Sequence, residues 1–258
     1  MPDTGINSAL TPGARYVAMG SSYAAGAGIT PFKSGGPVRC GQSSLSYATL
    51  LAARLNLELV DASCGGATTE HILGSWKELP PQIDAVTPET RLVTITIGGN
   101  DVSFVTNLMI GSCTVTAPGS STCPPLRSVT EADWTKLENN FREIARQVHK
   151  RAPLAKLVFV DYVSIMPQGK PCVAVPLAGA NADFLRQTAK RLADINVKVA
   201  REEGALLIKA GVLTRSHTPC DPDPWSAGAP GTAKGAPWHP LAAAHAAIAD
   251  ALSKKLTF

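Results

Sequence analysis

Tyr16-Val-Ala-Met-Gly-Ser-Ser-Tyr-Ala-Ala-Gly-Ala-Gly28 joins a short apolar run to a turn of small residues and glycines. Tyr16 to Met19 reads as a buried strand, and Gly20 ends it. A serine at the tip of a strand, on a tight turn that opens into a helix, has its hydroxyl lifted clear of the sheet. That placement suits a nucleophile. It suits a phosphate-cradling loop or an ordinary strand-to-helix turn equally well, so the rest of the chain has to decide.

Downstream, the same device recurs. Leu57-Glu-Leu-Val-Asp61 reads as a second strand ending at Ala-Ser-Cys-Gly-Gly-Ala-Thr-Thr69, and Arg91-Leu-Val-Thr-Ile-Thr-Ile97 as a third, ending at Gly98-Gly-Asn-Asp101. Lys156 to Asp161 and Leu206 to Ile208 complete a set of five. Helices are expected between them. One runs over residues 44–55, and a short one lies around 70–76. The clearest carries Trp134, Leu137, Phe141, Ile144 and Val148 on one face, with Ser128 and Glu131 as its capping box. Another spans 181–203, and the last, 240–252, has proline in its first turn. The segment holding Cys113 and Cys123 reads as a loop, and residues 1–14 as a surface segment of a single domain, 1–258. Alternating strands and helices with near-continuous apolar strands specify an α/β fold. It is a three-layer α/β/α sandwich around a mostly parallel five-stranded sheet. Ligands of such folds bind beyond the carboxyl ends of the strands, where the three glycine-terminated strands all open.

Composition narrows the function. A chain of 258 residues, 45% hydrophobic and 17% charged, can bury one large core. A net charge of +4 with scattered Lys and Arg argues against a nucleic-acid partner. No apolar run approaches the roughly eighteen residues of a membrane span. Six cysteines, at 40, 64, 113, 123, 172 and 220, form no Cys-x-x-Cys pair and have no histidine at zinc-finger spacing, so a structural zinc is not expected. Their even number, mostly in Gly/Pro/Ser-rich loops, points to three disulfides and an oxidising compartment; buried thiols in a cytosolic protein are the alternative. Six cysteines admit fifteen connectivities, and nearest-neighbour pairing (40–64, 113–123, 172–220) is the expectation. Met1-Pro-Asp-Thr-Gly lacks the basic start and apolar core of a signal peptide, so the chain reads as a mature secreted protein behind an added methionine.

An acyl-transfer site needs a nucleophile, a base and donors for the developing oxyanion. Ser22 supplies the first. Its own N–H, the N–H of Gly66 and the Asn100 side chain are candidate donors. Of five histidines, His149 and His217 read as surface residues, His245 as packed within an alanine-rich helix, and His71 as part of a helical turn near the site. His239 ends a Gly/Pro loop directly before a proline, which holds it rigidly. These blocks in this order, Gly20-Ser-Ser22, Gly66 within Gly-Gly-Ala-Thr-Thr, Gly98-Gly-Asn-Asp101 and His239-Pro, resemble the SGNH hydrolases, also called GDSL esterases/lipases. The likeness is to the secreted, disulfide-bonded Streptomyces-type members.

That resemblance implies Ser22 as nucleophile, Gly66 and Asn100 as oxyanion donors, and His239 as base, without metal or cofactor. The expected substrate is a short- to medium-chain, lipid or phospholipid ester. A carbohydrate acetyl esterase and a non-catalytic extracellular binding protein are the alternatives, and a monomer is expected. Two departures stand out. Ser21 replaces the family's aspartate, and Ala236 stands where an aspartate three residues before the histidine is usual. A backbone carbonyl, that of Ala236 or one beside it, is therefore expected to orient His239, with Asp221 and Asp223 as the nearby carboxylate alternatives.

Overall fold

The computed structural model describes residues 10–119 and 122–257. Of the expected surface segment, residues 1–9 lie outside these, and residues 10–14 are half-buried or exposed. The chain runs β1 (Arg15–Gly20), α1 (Ser22–Ala25), α2 (Tyr47–Leu55), β2 (Glu58–Asp61), α3 (Thr69–Leu73), β3 (Thr90–Thr96), α4 (Phe104–Thr116), α5 (Glu131–Arg151), β4 (Lys156–Val160), α6 (Gly179–Glu202), β5 (Leu206–Ile208), α7 (Ala210–Leu213) and α8 (Ala242–Leu256).

All five strands are parallel, in the order β2-β1-β3-β4-β5. The reason is visible in β1, where Tyr16, Val17, Ala18 and Met19 are all fully buried. A strand that is apolar on both faces needs a helical layer on each. Right-handed crossovers supply them. The step from β1 to β2 runs one way across the sheet and the later steps run the other way, so their helices fall on opposite faces. Accordingly α2 packs against α8, while α5 packs against α6 and β4. The reversal of strand order puts a crevice at the carboxyl ends of β1 and β3.

Several elements depart from expectation. The helix expected at 44–55 begins later, at Tyr47, because Ser46 caps it by accepting from the Thr49 N–H at 3.4 Å. The capping box of α5 is Thr130 with Asp133 rather than Ser128 with Glu131: the Asp133 N–H donates to Thr130 Oγ1, and Thr130 N–H to the Asp133 carboxylate at 2.7 Å. The segment 104–116, expected as part of the loop holding Cys113 and Cys123, is the helix α4. Its threonines, valines and glycine are poor helix formers, but burial of Phe104, Val105, Leu108 and Ile110 overrides them. Gly111 permits the contact with the chain leading into α6, since a Cβ there would meet Leu177 at 2.9 Å. The last helix starts two residues after Pro240, which instead bridges to Ser226.

Cysteines pair as nearest neighbours: Cys40–Cys64, Cys113–Cys123 and Cys172–Cys220. Among the described residues, no helix is long and apolar enough to cross a membrane.

Candidate active site

Ser22 is the first residue of α1, immediately beyond β1. Gly20 makes the turn possible: its φ is +138°, and a Cβ there would lie 2.3 Å from the Thr96 carbonyl oxygen. Ser21, which stands where the family has aspartate, is a turn residue. It is buried at the helix N-cap and donates its N–H to Thr96 O at 2.9 Å. The chain then turns at Gly26 and Gly28. Gly28 has φ +80°, and a Cβ there would lie 2.2 Å from the Ala236 nitrogen. Gly28 thus seats the loop that carries His239, more than two hundred residues downstream.

The seating brings the His239 Nε2 to 2.8 Å from the Ser22 Oγ. His239 Nδ1 lies 2.6 Å from the carbonyl oxygen of Pro237. A carbonyl can only accept, so Nδ1 carries the proton and Nε2 presents its lone pair to the serine hydroxyl. The acceptor is one residue away from Ala236. The Ala236 carbonyl is instead taken by the His239 backbone N–H at 3.3 Å. Trp238 explains the difference: its φ of +60° folds the imidazole back over the peptide it has just left, with Pro237 O in reach. Asp221 and Asp223 lie elsewhere. Asp221 accepts from Thr218 N–H and Oγ1, both at 2.7 Å, and Asp223 accepts from Trp225 Nε1 at 3.0 Å.

Two aromatic residues hold this turn, and the sequence reading assigned neither a part in it. Trp238 is fully buried, and its carbonyl accepts from the Tyr23 hydroxyl at 2.5 Å. The Tyr23 ring lies against Tyr162 and His239, with centroids 4.5 and 5.0 Å away. Tyr162 in turn takes the Gly99 N–H on its hydroxyl at 2.8 Å. Adjacency of Tyr23 to Ser22 was the one available signal. Burial holds the His239 imidazole below the ordinary histidine value, and the bond to Pro237 opposes that in part. His239 is therefore neutral, and competent as a base, at neutral pH.

Asn100 follows β3, and its side-chain amide donates to the Ala67 carbonyl at 2.8 Å. One hydrogen of that amide remains for another acceptor. The bond ties the β3 end to the residue after Gly66, whose φ of +84° turns the chain beyond β2. The ring of Trp76 covers this glycine; a Cβ at Gly66 would meet it at 3.3 Å. Trp76 also walls a cavity of about 370 Å³ beside the end of β2, with Cys40, Ser63, Cys64, Leu79 and Pro81 around it. Neither Ser22 nor His239 lines that cavity.

The remaining histidines fall into structural settings. His71 Nδ1 accepts the Thr68 N–H at 3.0 Å, and its ring stacks on Trp76. His149 Nε2 meets the Glu203 carbonyl, and His217 stacks on Trp225. His245 is fully buried, accepts the Tyr47 N–H at 3.0 Å, and is pushed down to about 3 by burial and then by the charge of His239. No group of three or more His, Cys, Asp or Glu among the described residues is arranged to hold a metal ion.

Comparison with known proteins points one way. The model of the GDSL-like lipase/acylhydrolase family matches residues 18–247. Lipase 2 of Streptomyces coelicolor is 31% identical over 231 residues, covering 86% of this chain and 76% of that protein. A lipase of Streptomyces rimosus is 29% identical over 218 residues, covering 81% and 75%. The structure of the extracellular lipase from Streptomyces rimosus superposes with a TM-score of 0.74 at 25% identity, over 93% of this chain and 99% of that one. Phospholipase A1 from Streptomyces albidoflavus NA297 shares the fold, with a TM-score of 0.76 at 24% identity over 94% and 99%.

Proposed function

The chain belongs to the GDSL-like lipase/acylhydrolase family and is a carboxylic ester hydrolase, and from that premise we propose that a Ser22–His239 dyad performs the cleavage. One observation carries the assignment of residues: a serine at a strand end stands 2.8 Å from a buried imidazole whose far nitrogen is anchored to a carbonyl.

His239 Nε2 takes the Ser22 proton as Oγ bonds to the ester carbonyl carbon, and the carbonyl electron pair moves onto oxygen. That oxyanion is received by the N–H groups of Ser22 and Gly66 and by the free hydrogen of the Asn100 amide. Collapse expels the alkoxide, which takes the proton from Nε2. Water then attacks the acyl-enzyme with His239 again as base, and the returning proton restores Ser22. Throughout, Nδ1 keeps its proton and donates it in a hydrogen bond to the Pro237 carbonyl. A carbonyl fixes the tautomer as a carboxylate does, but stabilises the imidazolium less. Ala236 is the feature that favours a non-catalytic binding protein, and the bond from His239 Nδ1 to the Pro237 carbonyl supports a catalytic reading instead.

The substrate class that fits is a lipid or other short- to medium-chain acyl ester, in keeping with the lipases among the relatives. Three disulfides support action outside the cytoplasm. Replacing Ser22 by Ala is expected to abolish both aryl-ester turnover and labelling by a fluorophosphonate. Asn100→Ala is expected to lower kcat by ~10²–10³-fold, the usual cost of one oxyanion donor. Turnover that survives Ser22→Ala would overturn the dyad.

A further inference from the structure

Asp101 follows Asn100 directly, and the chemistry above gives it no part. Its half-buried carboxylate meets the loop beyond β2 at Thr69. The Thr69 N–H lies 3.1 Å from each carboxylate oxygen, and Thr69 Oγ1 donates to Oδ1. The same Thr69 hydroxyl accepts from Asn140 Nδ2 of α5 at 2.8 Å. One residue earlier in the chain, Asn100 donates to Ala67 O. Consecutive residues at the end of β3 therefore fasten the Gly66–Thr69 loop at two points, residues 67 and 69.

We propose that Asp101 is a positioning residue of the oxyanion site, acting through Thr69 to hold the Gly66 N–H and the Asn100 amide in a common register. The inference rests on the oxyanion assignment above. Its logic is geometric. The direction of the free Asn100 hydrogen is set by where the Ala67 carbonyl sits, because the amide is planar and its other hydrogen is spent there. Gly66, the residue before, has the widest conformational range in the loop. On its N-terminal side the Gly66 peptide is held by the Gly65 N–H bond to the Cys40 carbonyl at 3.0 Å; on its C-terminal side Asn100 holds Ala67, and Asp101 fixes the next two residues by holding Thr69. The short helix α3 starts at Thr69, so the alternative is that Asp101 merely caps it. A cap stabilises folded protein and has no preference for a tetrahedral oxyanion over a planar ester.

That difference is what the experiment reads. Asp101→Asn and Thr69→Val are made beside Ser22→Ala, and each is assayed for aryl-ester kinetics, thermal midpoint and inhibition. The inhibitors are an arylboronic acid, which forms a tetrahedral adduct at serine, and the unreactive ether analogue of the substrate. Positioning predicts that kcat falls about tenfold to a hundredfold, a share of the ~10²–10³ cost of deleting a donor, while KM moves less than about twofold. Boronate affinity falls in proportion, ether affinity holds, and Thr69→Ser recovers most of what Thr69→Val loses. If Asp101→Asn does not fold, Thr69→Val carries the test, since it keeps the N–H bonds to the carboxylate.

The inference is overturned if both variants keep kcat within about twofold of the parent. It is also overturned if their losses match only the fraction of protein that no longer reacts with a fluorophosphonate, or if boronate and ether weaken equally. Turnover in Ser22→Ala would instead refute the dyad, whatever Asp101 does.

Discussion

Removing a single oxygen from Tyr23 tests how the His239 turn is held. Tyr23→Phe keeps the ring against Tyr162 and His239 and deletes only the hydroxyl that donates to Trp238 O at 2.5 Å. Both partners are buried, Tyr23 at 2% exposure and Trp238 at 0%, so water does not readily replace the lost donor. A buried carbonyl left unsatisfied costs about 1–3 kcal/mol. Unfolding entropy of ~2.1 cal/mol/K per residue gives about 0.5 kcal/mol per degree for a chain of 258 residues. The midpoint of thermal unfolding is therefore expected to fall by about 2–6 °C. Trp238 holds a left-handed backbone immediately before the His239 imidazole. Its relaxation should lower kcat by several-fold, part of the ~100-fold that a 1 Å misplacement costs. Differential scanning calorimetry and steady-state kinetics on an aryl ester read the two effects. An unchanged midpoint would refute the clamp. A lowered midpoint with unchanged kcat would show that the clamp serves the fold and not His239.

Three further outcomes are expected. Opening Cys172–Cys220, 48 residues apart, should destabilise more than opening Cys113–Cys123, 10 apart; loop-closure entropy puts them at about 4 and about 3 kcal/mol, and guanidinium melts of paired Cys→Ser variants read the order. On acidification, the depressed His239 should keep the acid limb of kcat/KM below 6.5. His245 governs stability over a neighbouring range: unfolded, it takes a proton near 6.5, and folded only near 3, so the unfolded state binds more protons and stability falls as pH drops through that window. Asp101 and Asp161, raised to about 6 by burial, act oppositely between 6 and 3.8. The comparison of His245→Gln with the parent in urea at pH 7 and pH 5 isolates the histidine, and should show a smaller loss of stability in the variant.

The five strands, their parallel pairing and the order of the site motifs were legible because they are written in local signals. Apolar runs of strand length end in glycine at Gly20 and Gly98, and the Leu57–Asp61 run stops shortly before Gly65 and Gly66, which places Ser22, Gly66 and Asn100 at one edge of a parallel sheet. Helix α4 was not legible, since Thr, Val and Gly at 105, 106, 111, 114 and 115 argue locally against a helix, and only packing against α6 overrides them. The start of α5 slipped from Ser128 to Thr130 because both residues precede an acidic residue by three positions and local chemistry does not separate them. The bond from Asp101 to Thr69 joins residues 32 apart and leaves no periodic trace.

The sharpest division falls at His239. Residue types and their order single out this histidine and exclude a carboxylate at Ala236. Which carbonyl replaces it is set by one backbone angle, the φ of +60° at Trp238. No residue preference predicts that angle for a tryptophan. It persists because the indole is fully buried and the Tyr23 hydroxyl, 215 residues away in the chain, holds its carbonyl. Chemical identity at the site is thus a property of the chain, and the tautomer that turns the His239 Nε2 lone pair toward Ser22 is a property of the packing.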